Sequence, residues 1–132
     1  MPGESRELTF ERRTRLVCHL PLNRRPDQRK PNQLYVIHDF VKFLKKSDLT
    51  GFSMSSLMDT VFTGFWRDQP ADDFDEENVV LVMIDHPLDR NDPVLWEFIA
   101  QLKREIQRLY KRYAKENEKE IWIVAHPIDR LA

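Results

Sequence analysis

Residues 78–110 read NVVLVMIDHPLDRNDPVLWEFIAQLKREIQRLY, and the fold turns on how this stretch divides. The aliphatic run from Val79 to Asp85 predicts a strand, and Pro87, which cannot donate to a sheet ladder, ends it. Asp92 followed by Pro93 sets an N-cap before a proline at the first helical position. Beyond them Leu95, Phe98, Ile99, Leu102, Ile106, Leu109 and Tyr113 recur at intervals of three and four residues. That spacing predicts a helix of about five turns whose apolar stripe buries against a sheet.

Toward the N-terminus, the acidic segment DQPADDFDEEN (68–78) joins this strand to FSMSSLMDTVFTGFWRD (52–68), which is rich in β-branched and aromatic residues. The two form a long hairpin, with the earlier strand bulged or broken near Leu57 to Asp59. Upstream of Gly51, Leu34, Ile37, Val41 and Leu44 carry helical spacing after Asn32 as N-cap, and that helix stops near Ser47 and Asp48. Earlier still, Leu16, Cys18 and Leu20 alternate with Arg15, Val17 and His19, the period of a half-buried strand. Between them PLNRRPDQRKP (21–31) has three prolines and no period, and is read as an exposed loop. Toward the C-terminus the polar KENEKE turn (115–120) leads to a last strand, IWIVAHP (121–127), again ended by proline.

The order strand, helix, strand, strand, helix, strand is that of a split β-α-β. The expected fold class is α+β, a single-domain ferredoxin-like sandwich: an antiparallel sheet with two helices on one face. The likeness to ferredoxin-like and amino-acid-binding regulatory domains is architectural, and architecture does not assign function. Right-handed crossovers give the strand order four, one, three, two, in which strands one and three are read as parallel neighbours. Residues 1–12 lack a period and are read as a flexible arm, in which Leu8 and Phe10 suit an added edge strand, leaving 13–132 as the domain.

Composition narrows the function classes. A chain of 132 residues with 41% hydrophobic residues builds one core, and a net charge of −1 provides no overall field to recruit nucleic acid or an anionic membrane. The single Cys18 excludes an internal disulfide and suits a reduced, cytoplasmic setting. No nucleotide-binding loop, dinucleotide fingerprint, nucleophile elbow or CxxC pair occurs, and no cofactor is implied.

Three features carry functional expectations. The third and fourth strands are apolar on both faces, so Phe62, Trp66, Val80, Val82, Trp122 and Val124 are expected to form an exposed patch on the non-helical face. A homodimer packed sheet to sheet, or another protein partner, would cover it, which makes a non-enzymatic interaction or regulatory module the leading expectation. Second, His86-Pro87-Leu88-Asp89-Arg90 nearly repeats as His126-Pro127-Ile128-Asp129-Arg130, with a looser copy from His19 to Arg24. As structure these are strand-exit turns in which the Asp or Asn side chain bonds nearby backbone. As a site, His19 and His86 are expected to share one sheet edge as acid or base, while His126 leaves at the other. Arg24 or Arg90, with Asp89, would then hold a carboxylate or phosphate, in a small enzyme of the dimeric α+β barrel kind or a ligand-binding protein for an anionic small molecule. No metal is required. Third, the basic loop Arg24, Arg25, Arg29 and Lys30 suggests a nucleic-acid reading, against which TGFWRD is a poor match to the RNA-binding sheet motif. His38 is read as a packed or partly exposed helix residue, and the acidic run Asp72, Asp73, Asp75, Glu76 and Glu77 as a solvated hairpin tip.

Overall fold

In the computed structural model, which describes residues 8–22, 31–55, 62–67, 69–114 and 122–131, the alternation along two strands decides how the sheet faces. β1 (Phe10–Leu22) buries Leu16, Cys18 and Leu20 completely, while Arg15, Val17 and His19 between them stay half-buried on the other face. Its neighbour β4 (Asp75–His86) runs antiparallel to it, with Leu16 opposite Ile84, Cys18 opposite Val82 and Leu20 opposite Val80. Residues directly opposite in a ladder share a face. Val80, Val82 and Ile84 are therefore fully buried with the β1 set, under the helices. This corrects the expectation that Val80 and Val82 lie on the open face, where Val79, Leu81 and Met83 stand instead.

The sheet order is β2-β4-β1-β5, with β2 (Phe52–Met54), β3 (Phe62–Trp66) and β5 (Ile123–Leu131) completing five strands. β2 pairs with β4 over Val82 to Ile84 and β3 over Asp75 to Val79. Since Asn78 and Val79 also pair with β1, β3 lies on the same edge of β4 as β2, in tandem with it. The predicted order of four strands is the observed one, with β2 and β3 in the place of the second. The side chains of Phe62 and Trp66, and residues 57–59 at the expected break, lie outside the described residues.

α1 (Pro31–Lys46) buries Val36, Ile37, Phe40 and Leu44, and α2 (Pro93–Leu109) buries Leu95, Leu102, Ile106 and Leu109; all join one core with the β1 and β4 set. Both helices thus cover the same face, and Leu34, expected in the α1 stripe, is exposed. Asp92 caps α2 as predicted, its Oδ1 accepting the Val94 N–H at 2.9 Å. A π-helical turn, Tyr110–Ala114, follows; it seats Tyr110 in the core, where its hydroxyl donates to the Pro21 carbonyl at 2.7 Å. Cys18 is a core residue, and burial pushes its thiol up to about 12. No helix among the described residues is long and apolar enough to cross a membrane.

Two differences follow from strand direction and edge position. β1 includes Phe10 to Arg12, which pair with Leu131 to Asp129 of β5, so three residues read as arm belong to the sheet. β5 does not stop at Pro127 but runs on to Leu131. The His19 N–H donates to the Trp122 carbonyl, so by alternation residues 122, 124, 126 and 128 bond to β1 and residues 123, 125, 127 and 129 face the sheet edge, which no described strand pairs. The N–H that Pro127 lacks would point to solvent, which is where an edge strand tolerates proline.

Candidate functional site

Antiparallel pairing rearranges the polar residues that the sequence singled out. A helical crossover returns the second strand parallel to the first, and the hairpin after it reverses direction. The strand inserted between them, β4, must then oppose β1 rather than run parallel to it as expected. His86 accordingly lies opposite Thr14 and His19 opposite Leu81, five positions and roughly 17 Å apart along the strand. The two histidines do not share an edge. His126, opposite Arg15, lies at the His86 end instead, so the two near-identical segments start at the same end of the sheet.

Each of these segments has a local structural role. The His86 ring is buried against Phe98 of α2, at 4.9 Å between ring centroids, and its Nδ1 accepts the Leu88 N–H at 3.2 Å. The Asp89 Oδ1 accepts the Asn91 N–H at 3.1 Å, and the buried Thr14 donates its hydroxyl to the Leu88 carbonyl at 2.9 Å. Residues 86–92 are thus a turn that delivers the chain into α2. His126 to Arg130 stay within β5, with Asp129 at 3.6 Å from Arg12. His19 packs its ring on Trp122 at 6.3 Å. Arg24, Arg25, Arg29 and Lys30 lie outside the described residues.

Burial and the nearby Arg13 charge lower the His86 pKa below its ordinary 6.5. The unfolded chain therefore takes up this proton at a higher pH than the folded one, so stability should be full above pH 6.5 and fall as pH drops toward the folded value. His86→Asn keeps an acceptor near the position of Nδ1 without the titration. It should flatten this limb in urea midpoints measured from pH 7 downward, apart from a remainder from His19, whose pKa burial also lowers. An unaltered limb would assign the titration elsewhere. Asp85 titrates outside this window, because Arg15 depresses it from 3.8 and its stabilisation is lost only below that value.

The open face of the sheet divides into two halves. Toward the His19 end it is apolar, with Val17, Leu81 and Val124 half-buried and Trp122 46% exposed. Toward the His86 end, Glu11, Arg13 and Arg15 of β1 follow one another on the same face at intervals of two, opposite Arg130, Ile128 and His126 of β5. Here a cavity of about 900 Å3 opens, lined by Arg13, Arg15, Asp85, Arg130, Ser53 and Ile128 among others. Arg15 grips Asp85 from the adjacent strand with two bonds, Nε to Oδ1 at 2.7 Å and a terminal amine to Oδ2 at 3.0 Å. The pair fixes the orientation of both groups.

Arg13 differs from its neighbours. Its side chain is only 9% exposed, and among the described residues its Nε is buried without a hydrogen-bond partner and its ion pair is with the exposed Glu11, at 4.0 Å. Arg130 reaches the same carboxylate at 4.0 Å from β5. A buried guanidinium with an unmet donor favours an anion that brings its own acceptor oxygens. Three guanidiniums (Arg13, Arg15, Arg130) and two carboxylates (Asp85, Asp129) line the cavity, with Glu11 a third carboxylate beside Arg13 and Arg130. The sequence reading did not place Arg13 or Asp85 in a site, and it named Arg130 only as the end of the second HPxDR segment. The signal was the unbroken polar alternation of Glu11, Arg13 and Arg15 opposite the apolar set of β1. Among the described residues no group of three or more His, Cys, Asp or Glu is placed to hold a metal ion.

No family model matches the chain and no curated protein matches it in sequence. Two solved structures are similar to this chain. One is a phage SAM lyase in complex with S-methyl-5'-thioadenosine, 12% identical, covering 97% of this chain and 95% of that one with a TM-score of 0.54. The other is a phage SAM lyase in the apo state, 13% identical, covering 93% and 90% with a TM-score of 0.47. The first of these likenesses agrees with the α+β fold of five antiparallel strands and two helices described above. It also corrects the leading functional expectation, a non-enzymatic interaction or regulatory module. The chain similar in fold over almost its whole length is an enzyme holding a small molecule, and two residues of the patch that motivated that module, Val80 and Val82, lie in the core.

Proposed function

We propose that this protein binds a small anionic molecule, a carboxylate or phosphate ester, in the arginine-lined cavity of its open sheet face, and acts on it as a small enzyme. The observation that carries this reading is the buried Arg13 guanidinium, whose Nε has no hydrogen-bond partner among the described residues while it borders a cavity of ligand size. Arg130 supplies a second cation from the neighbouring strand, and the Arg15–Asp85 pair forms a rigid wall. The phage lyase, with its bound S-methyl-5'-thioadenosine, supports the reading as a fold of this shape that accommodates a metabolite-sized ligand. Of the histidines expected as acid or base, His86 is enclosed in a turn and His19 lies at the far end of the face, so the anionic ligand is retained and moved to the arginines.

The test is a thermal-shift and calorimetric screen with small carboxylates, phosphate esters and SAM. At least one of these classes should raise the melting temperature saturably, with an affinity that falls as salt rises. Arg130→Gln should weaken that ligand about tenfold, as loss of a charged hydrogen bond does. No saturable shift with any class, or a shift that Arg130→Gln and Arg13→Met both leave intact, refutes the assignment.

A further inference from the structure

A second cleft, of about 700 Å3, wraps the free edge of β5 where α2 passes it, and is lined by Arg90, Trp96, Ile99, Trp122, Ile123, Val124 and Ala125. It shares no residue with the arginine-lined cavity. Two indoles border it and both stay about half exposed, Trp96 at 49% and Trp122 at 46%. Each is held in place. The Trp96 Nε1–H donates to the Arg90 carbonyl at 2.6 Å, and Trp122 leans on the His19 ring at a tilt of 48°. Trp96 and Ile99 stand one helical turn apart on α2 and face the same cleft. Between the indoles runs the β5 edge, whose residues 123 and 125 turn their N–H and C=O groups outward, by the alternation that pairs Trp122 with β1.

Oriented aromatic faces beside a short row of backbone donors and acceptors suit one kind of guest. We propose that this cleft binds a planar heteroaromatic ring bearing an anionic tail, the chemistry of a nucleotide. The ring lies against Trp96 or Trp122, its polar edge meets the backbone of Ile123 and Ala125, and the tail reaches Arg90. Base-on-aromatic stacking contributes about 1–3 kcal/mol per base, so loss of one indole costs affinity on the order of 5- to 150-fold. Addition of an extended peptide to the β5 edge is the competing occupant. Pro127 removes one of the outward N–H donors such a strand would need, and the cleft is the size of a small ligand.

Adenosine monophosphate is the probe, titrated by calorimetry and by NMR of the indole N–H signals, with ribose phosphate and adenosine as the half-ligands. Binding is expected to be saturable, to shift the Trp96 and Trp122 signals, and to weaken at least fivefold in Trp96→Leu or Trp122→Leu. Arg90→Gln should weaken the nucleotide but leave adenosine unchanged. Both indoles are partly exposed, and a far-UV spectrum and melting curve like the parent's confirm that each variant folds. The proposal is overturned if the nucleotide does not saturate, or if ribose phosphate binds as tightly. It is equally overturned if an extended peptide displaces the parent signals where the nucleotide does not. If binding survives both tryptophan variants and is lost in Arg13→Met, the nucleotide occupies the arginine-lined cavity, which refutes this cleft while supporting the other site.

Discussion

Arg13→Met is expected to weaken saturable anion binding roughly 10- to 150-fold while leaving the unfolding free energy unchanged or raised. Methionine keeps the unbranched apolar stem that packs at the site and removes the guanidinium. Arg13 is 7% exposed with an unmet Nε donor, and an unmet buried donor costs about 1–3 kcal/mol. Its contact with Glu11 offsets little, since that pair stands 4.0 Å apart with Glu11 56% exposed. Removing the group therefore relieves a cost in the free state and deletes a charged hydrogen bond in the bound one. The bond contributes about 1.5–3 kcal/mol, or roughly 10- to 150-fold in affinity. Urea denaturation and calorimetric titration of one preparation read both quantities. A stability loss of several kcal/mol with binding unchanged would make Arg13 a structural residue and sink the proposed site.

The second large effect lies in the core. Leu102→Ala should lower the unfolding free energy by roughly 2–5 kcal/mol, because the side chain is fully buried within the cluster shared by both helices and the sheet. The urea midpoint should fall with no change in slope, since the surface exposed on unfolding is hardly altered. Val94→Ala, on the exposed side of the same helix at 57%, should stay within about 0.5 kcal/mol. A loss below about 1 kcal/mol at Leu102 would mean that α2 does not pack as described.

Where a local rule acts alone, the sequence was read correctly. Asp92 and Pro93 mark the start of α2, since a cap and a proline at the first position depend on a few adjacent residues. The stripe from Leu95 to Leu109 follows from helical geometry in the same way. The two HPxDR segments show where local reading fails. Pro87 ends β4 and Pro127 does not end β5, though the neighbouring residues are nearly the same. What differs is position in the sheet, which places the Pro127 nitrogen at a free edge.

The arginine-lined cavity was half visible. The alternation in β1 sets Arg13 and Arg15 on one face, but nothing local brings Arg130, more than a hundred residues away, beside them. Only β5 pairing along the full length of β1 does that. The expected site of His19, His86 and Arg90 rested on strand direction, and the reversed β4 separates its two histidines.

The sequence by itself determined the type and order of the elements, and with them a split β-α-β sandwich, because period, cap and turn signals are carried by neighbouring residues. Tertiary structure alone decided which face of each strand is buried. From Val79 to Ile84 every residue is apolar, and shifting such a strand by one position exchanges its two faces with no local penalty. The half-polar β1 beside it settles the matter: Leu16, Cys18 and Leu20 must go under the helices, and the ladder carries Ile84, Val82 and Val80 with them. The same pairing leaves Arg13, Arg15 and Asp85 together on the open face, where the proposed function lies.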